Sequence, residues 1–257
     1  MTGTHEHRVV NESRQSRGGL VDVSLPQARR EPPTAGRSLE ILAAFTRRVA
    51  QKGYAETNFS DIAGELGISK GTIVHHYGTK DQLFAAMHDG YMERRLQEAR
   101  RLVAAFAAPA DQLAALLYSF ILYQVVDHDS TVAFQREAAT LATHPALEHG
   151  RQLRAEYLTL VRQVLTDGVN DGAFREVDVE VQSLLIFGAS QWSWTWFRPD
   201  GPHNAREVGS DLVQLVLGSL LPSRRSLARL ADPAGPAAST ASEVLQSWVP
   251  VGPRRTG

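Results

Sequence analysis

Lys70, Gly71, Thr72, His75 and His76 crowd into one short stretch, with Thr57 and Asn58 shortly before it and Lys80 shortly after. The set is rich in donors and poor in nucleophiles or paired acids. Ammonium and hydroxyl groups bond phosphate oxygens, and imidazole and amide groups reach base edges. A glycine among them lets a backbone come close to a ligand. The chemistry these types suit is recognition of a nucleic acid, not the breaking of a bond.

Such side chains act together only on a rigid surface. The spacing predicts two short helices around a tight turn. The first runs over about Phe59 to Leu66, where Ile62, Ala63 and Leu66 share a face. Asn58 is a good N-cap, and Asp61 suits the positive end of the helix dipole. Gly67 supplies the left-handed stop. Ser69 caps the second helix, whose Ile73 and Tyr77 turn back onto Ile62 and Leu66. Lys70, Thr72, Val74, His75 and His76 then face outward. A second helix presented this way is how a helix-turn-helix offers its recognition helix to the major groove. Gly78 and Thr79 break that helix, and Lys80 stands at the amide-rich start of the next, a ready phosphate site.

The motifs Gly53-Tyr54, Thr57, Asp61-Ile62-Ala63, Leu66 to Thr72, His76-Tyr77 and Lys80 resemble the N-terminal DNA-binding domain of the TetR repressor family. The resemblance covers roughly residues 39 to 85. It implies a dimeric, all-α transcriptional regulator with a variable C-terminal ligand domain. Two positions depart from the family pattern. Val74 stands where a tyrosine is usual, and Asn58 where serine or threonine often follows the threonine.

The 257 residues suffice for one large domain or two small ones, and a hydrophobic fraction of 43% supports a sizeable core. The net charge of −1 excludes a general polycation, so any nucleic-acid site must be local. Residues 28 to 52 hold such an excess, six Arg or Lys against two Glu. The sequence holds no cysteine, which excludes disulfides, thiolate catalysis and cysteine-bound zinc and suits a reducing cytoplasm. No apolar run is long enough to span a membrane, and the N-terminus lacks a signal-peptide core. Nine histidines form no His-Glu-x-x-His or carboxylate cluster. No metal, cofactor or enzyme constellation is expected. Asp127 and Asp129 read as a solvated helix break.

In chain order the expectations are a polar arm over 1–36, a helix-turn-helix domain over 37–83, a helical effector and dimerisation domain over 84–221, and a disordered tail over 222–257. Arg29, Arg30 and Arg37 either add phosphate contacts or belong to a solvated tail. The first helix spans 38 to 52. A long helix from Asp81 to about Ala107 joins the head to the rest. A helix apolar nearly all round follows at 111 to 126 and must be buried. Further helices are expected at 130 to 142, 144 to 169, 177 to 198 and 204 to 220. The tryptophans at 192, 194 and 196 alternate with polar residues, which also suits a strand. In the family the last two helices form a four-helix dimer interface with their copies.

Tyr123, Gln124, His128, Phe134, Arg136, Gln191, Trp192 and Trp196 are candidates to line an apolar pocket with a few polar anchors; each also reads as core or dimer contact. The segment 191 to 201 looks like the tryptophan-rich end of family members that respond to acyl-CoA thioesters, with Arg136 or Arg198 placed to meet a CoA phosphate. The expected partners are therefore an operator duplex, a second copy of the chain, and an effector that is an acyl-CoA or another apolar molecule. A small-molecule carrier or enzyme that keeps the helix-turn-helix as scaffold is the rival reading. A sequence-independent DNA binder is the third.

Overall fold

The computed structural model describes residues 33–247. The expectations for the arm up to Pro32 and for the last residues of the tail lie outside that range. Among the described residues the structure is all-α, with no strand.

Helix α1 (Pro33–Lys52) starts earlier than the expected 38, since a proline in a first turn forfeits no helical hydrogen bond. Helices α2 (Phe59–Leu66) and α3 (Lys70–Tyr77) follow. Asn58 caps α2 by accepting from the backbone N–H groups of Ser60 and Asp61. Gly67 stops it at φ 62°, ψ 34°, in the left-handed region where a Cβ is costly. Ser69 caps α3 through the Thr72 N–H. Ile41, Phe45, Ile62 and Ile73 are fully buried and tie the three helices into one small core.

Helix α4 (Lys80–Ala104) opens with a capping box between Thr79 and Gln82. Helix α5 (Pro109–Val126) is buried from Leu113 to Gln124 and forms the axis of the C-terminal bundle. Packed on it are α4, α8 (Glu148–Asn170), α10 (Ala205–Leu220) and α12 (Pro236–Gln246). At Gly209 of α10 the packing is so close that a Cβ would come within 2.6 Å of the Tyr118 ring.

The expected helix at 130 to 142 is two, α6 (His128–Arg136) and α7 (Ala138–Thr143), broken at Glu137, whose side chain is held elsewhere. The expected helix at 177 to 198 ends early. Helix α9 (Val179–Gln191) gives way to a 3₁₀ turn at Trp192–Thr195. There the Ser193 and Thr195 hydroxyls donate to the carbonyls of Ser190 and Trp192, each at 2.8 Å, tightening the chain. The alternating tryptophans therefore sit in a tight turn and not in a strand.

The stretch from Pro222, expected to be disordered, is corrected by α11 (Leu227–Leu230) and α12. Its alanines and serines are small enough to pack flat against α5. Leu230, Ala238, Ala241 and Leu245 are buried at 1% exposure or less. Arg229 clamps Asp111 at 2.6 and 3.1 Å, and Arg206 donates to Ser242 at 2.9 Å. No helix among the described residues is long and apolar enough to cross a membrane.

Candidate functional site

Helix α3 exposes Lys70, Gly71, Val74 and His75, and leaves Thr72 and His76 half-exposed. Lys70 makes no bond to another group among the described residues, so its ammonium is available. The Thr72 hydroxyl is 3.0 Å from the Ser69 hydroxyl. The His75 and His76 rings lie edge to face, 5.5 Å apart. No group of three metal-ligating side chains occurs among the described residues. Tyr77 turns inward, donating to the Ser38 carbonyl at 2.9 Å and so fixing α3 against α1.

Three expectations around this face need correction. Thr57 is fully buried, and its hydroxyl donates to the Gly53 carbonyl at 2.8 Å. It shapes the entry to α2 and has no open side for a phosphate. Lys80 is half-covered, 4.2 Å above the Tyr54 ring, and donates to the Ala55 carbonyl at 3.3 Å. Desolvation lowers its pKa somewhat. The cations at the end of α1 are paired within the head, Lys52 with Asp61 at 2.5 Å and Arg47 and Arg48 with Glu65 at 2.8 and 2.9 Å. Asn58 remains exposed, but its side-chain oxygen is engaged as the cap.

The second candidate region is a cleft among α4, α5, α6, α8 and α9, enclosing about 700 Å³ including its open mouth. Its closed free volume is about 100 Å³, below that of a usual ligand pocket, so a guest must extend through the mouth or widen the cleft. Tyr91, Phe120, Tyr123, Phe134, Tyr157 and Phe187 supply its aromatic walls. Of the candidates, it gathers Tyr123, Phe134 and Gln191. Gln124 lies behind the wall, fully buried, bonded to Gln135 at 3.2 Å and Ser193 at 3.1 Å. His128 is turned to the Gln124 carbonyl at 3.0 Å. Arg136 lies with its guanidinium 5.8 Å from the Trp194 ring. Trp192 and Trp196 are outside, 66% and 48% exposed, because the 3₁₀ turn swings them away from the bundle. These five do not line the cleft.

The floor holds a group that hydrophobic patterning passes over. Arg95, 2% exposed, meets Asp127 at 2.5 Å and Glu98 at 3.2 Å, with the Tyr123 ring 3.8 Å away under its guanidinium. Arg94 reaches the same two carboxylates at 2.8 and 3.0 Å. Asp127, read as a solvated break, is thus an ion-pair partner. The neighbouring Glu98 carboxyl is raised by burial, against the pull of the two arginines. The signal was present in α4. His88, Arg95 and Glu98 stand on the stripe of Phe84, Tyr91 and Leu102, at spacings where apolar residues are the rule.

Residues 41–87 match the family model described as bacterial regulatory proteins, tetR family, and residues 107–220 match that of the tetracyclin repressor-like C-terminal domain. The chain belongs to the TetR family. This TetR-family regulator is 28% identical over 186 residues to the HTH-type transcriptional repressor KstR2 of Mycobacterium tuberculosis, across 72% of its own length and 92% of the relative's. The solved structure of that ketosteroid transcriptional regulator covers 73% of this chain and 96% of its own, with TM-score 0.68 and 27% identity. A fatty acid metabolism regulator protein of Bacillus subtilis is 21% identical over 184 residues, 71% of this chain and 94% of the relative. The chain is thus a helix-turn-helix DNA-binding transcriptional regulator.

Proposed function

We propose that the chain acts in the cytoplasm as a homodimeric repressor, released from a near-palindromic operator by an apolar effector of lipid catabolism, in the class of acyl-CoA thioesters. One recognition helix α3 per subunit reads one half-site. Lys70 and Thr72 contact phosphates there, with the backbone at Asn58 at the margin. Gly71, His75 and His76 meet base edges or phosphates. The dimer forms through α9 and α10, where Val181, Leu184, Leu185 and Leu215 stand 50 to 66% exposed and need cover.

The observation that carries this reading is that one short segment touches both functional regions. Phe134 and Gln135 of α6 line the cleft, and Glu137 just beyond holds the backbone of Tyr54 in the head. The end of α1 packs along α6. An effector that displaces the Phe134 wall therefore shifts the head. By linkage it lowers operator affinity by the same factor by which DNA lowers effector affinity. The effector class is supported by the aromatic cleft, by Arg154 at its exposed rim, and by relatives named for ketosteroids and fatty acid metabolism. Arg154 has no counter-ion among the described residues, and desolvation alone lowers its pKa. It suits an anionic head group left outside the cleft.

Selection of purified protein on random-sequence DNA tests the reading. An enriched inverted repeat is expected. A folded, dimeric protein that enriches nothing overturns it and favours the carrier or enzyme reading.

A further inference from the structure

Three residues that line the cleft carry four donors without a hydrogen-bond partner. They are the Tyr123 hydroxyl, the Tyr157 hydroxyl, and the Nε and Nη1 groups of Arg95. Their residues are 4%, 4% and 2% exposed, so bulk water does not serve them. Nη1 lies 3.2 Å from Glu98 as an ion pair, but out of line for a hydrogen bond. The two hydroxyls are neighbours, and each keeps its proton. Burial is the first cause, and Tyr123 adds to it at Tyr157, although no bond of ordinary geometry joins them. Buried donors left unpaired are costly, so four of them on the wall of an apolar cleft ask for an acceptor.

Charge decides what kind of acceptor. Arg94 and Arg95 are balanced by Glu98 and Asp127. A carboxylate added at the inner end would leave that buried group with one uncompensated negative charge, at a low local dielectric. A neutral oxygen, with two lone pairs, takes two of the free donors and leaves the balance intact. A hydrocarbon end would leave all four donors unpaired.

Resting on the effector reading above, we propose that the cleft selects an apolar compound bearing a neutral carbonyl oxygen at its inner end, a keto group on the hydrocarbon body, which Tyr123, Tyr157 and Arg95 recognise. The activating or anionic part of such a molecule remains at the rim beside Arg154, the exposed side of the cleft.

The test is calorimetric titration of the full-length protein with three matched probes, 9-oxodecanoyl-CoA, decanoyl-CoA and the mono-CoA thioester of decanedioic acid. The keto probe is expected to bind at least about tenfold tighter than decanoyl-CoA, and the acid probe weakest, since rejecting a molecule that leaves site donors unpaired is a large effect. Tyr123→Phe and Tyr157→Phe should each cut the ratio of keto to parent affinity to a few-fold, and retained helical circular dichroism and operator binding show that the variants are folded. Equal binding of the keto and parent probes overturns the proposal, because trapped water then serves the donors. Preference for the acid probe overturns it in favour of an anion site, and no binding of any probe overturns it outright. Release of a selected operator by some other compound, with the three probes bound equally or not at all, sinks this inference and leaves the repressor reading intact.

Discussion

The carboxylate of Glu137 accepts a hydrogen bond from the backbone N–H of Tyr54 at 2.8 Å, across a separation of 83 residues. The same carboxylate accepts from the Thr140 hydroxyl at 3.0 Å. Around this joint Tyr54 stacks on Phe84 at 4.0 Å, and its hydroxyl donates to Asp81. His144 stands edge-on to both rings at 5.9 Å. The head and the effector bundle thus meet through a backbone bond and an aromatic stack, with the cleft wall beginning at Phe134.

Glu137→Ala removes the acceptor and leaves the Tyr54 N–H wanting. A stability loss of about 1 kcal/mol in denaturant unfolding is expected. Operator affinity measured with and without effector should also show a smaller effector response, because the link between cleft and head is cut. Glu137→Gln keeps an acceptor oxygen and should retain most of both. An alanine variant with an undiminished effector response would remove this joint from the signal path.

Lys70 and Thr57 separate contact from scaffold. Lys70→Ala should leave stability unchanged, weaken binding across all sequences, and reduce the slope of log affinity against log salt by about one. Thr57→Val loses a buried hydrogen bond to Gly53 and should cost about 1 kcal/mol of stability with the salt slope intact. Titrations of a labelled operator at several salt concentrations distinguish the two. A changed slope in the Thr57 variant would restore it as a phosphate ligand.

His88 and Asp89 impose opposite pH dependences. Burial, with a smaller push from His144, lowers His88 from 6.5 to about 4, and both ring nitrogens lack a partner. Between those values the unfolded chain binds the extra proton, so His88's contribution rises with pH and is complete above 6.5. Against His88→Leu, the wild type should gain up to about 3 kcal/mol from pH 4 to 6.5. Burial raises Asp89 from 3.8 to about 6, with Glu93 adding and His149 opposing. Here the folded chain holds the proton longer, so stability falls as pH rises through that window. Relative to Asp89→Asn, the wild type should lose about 2 kcal/mol. Unfolding at a series of pH values reads both differences, and parallel curves would refute the assignments.

Ala241 of α12 is fully buried beneath the α5 axis. Ala241→Asp should destabilise the protein by about 3 kcal/mol or more, since it forces an unpaired charge into packed helices. Chemical denaturation measures this. A neutral effect would mean that the C-terminal segment contributes nothing to the bundle.

The sequence by itself determined the recognition unit. The caps at Asn58 and Ser69, the glycine stop at 67 and the inward pair Ile73 and Tyr77 are set by neighbours within a turn or two, and the outward residues of α3 follow from helical period alone. It also determined the all-α class, the buried character of α5, and the family. Tertiary structure decided which polar groups are free. Thr57 looks open in sequence, yet Gly53 closes over it. The cations ending α1 are neutralised by acids on α2, a separate helix. Trp192 and Trp196 look like pocket aromatics, but a 3₁₀ turn faces them outward, whereas Arg95 and Glu98, charged residues on the apolar stripe of α4, lie buried beside Asp127. The small residues after Pro222 carry little hydrophobic signal and gain order only because α5 offers them a complementary face. Spacing fixes which residues share a helix face; the packing of remote helices fixes whether that face meets solvent, protein or a ligand.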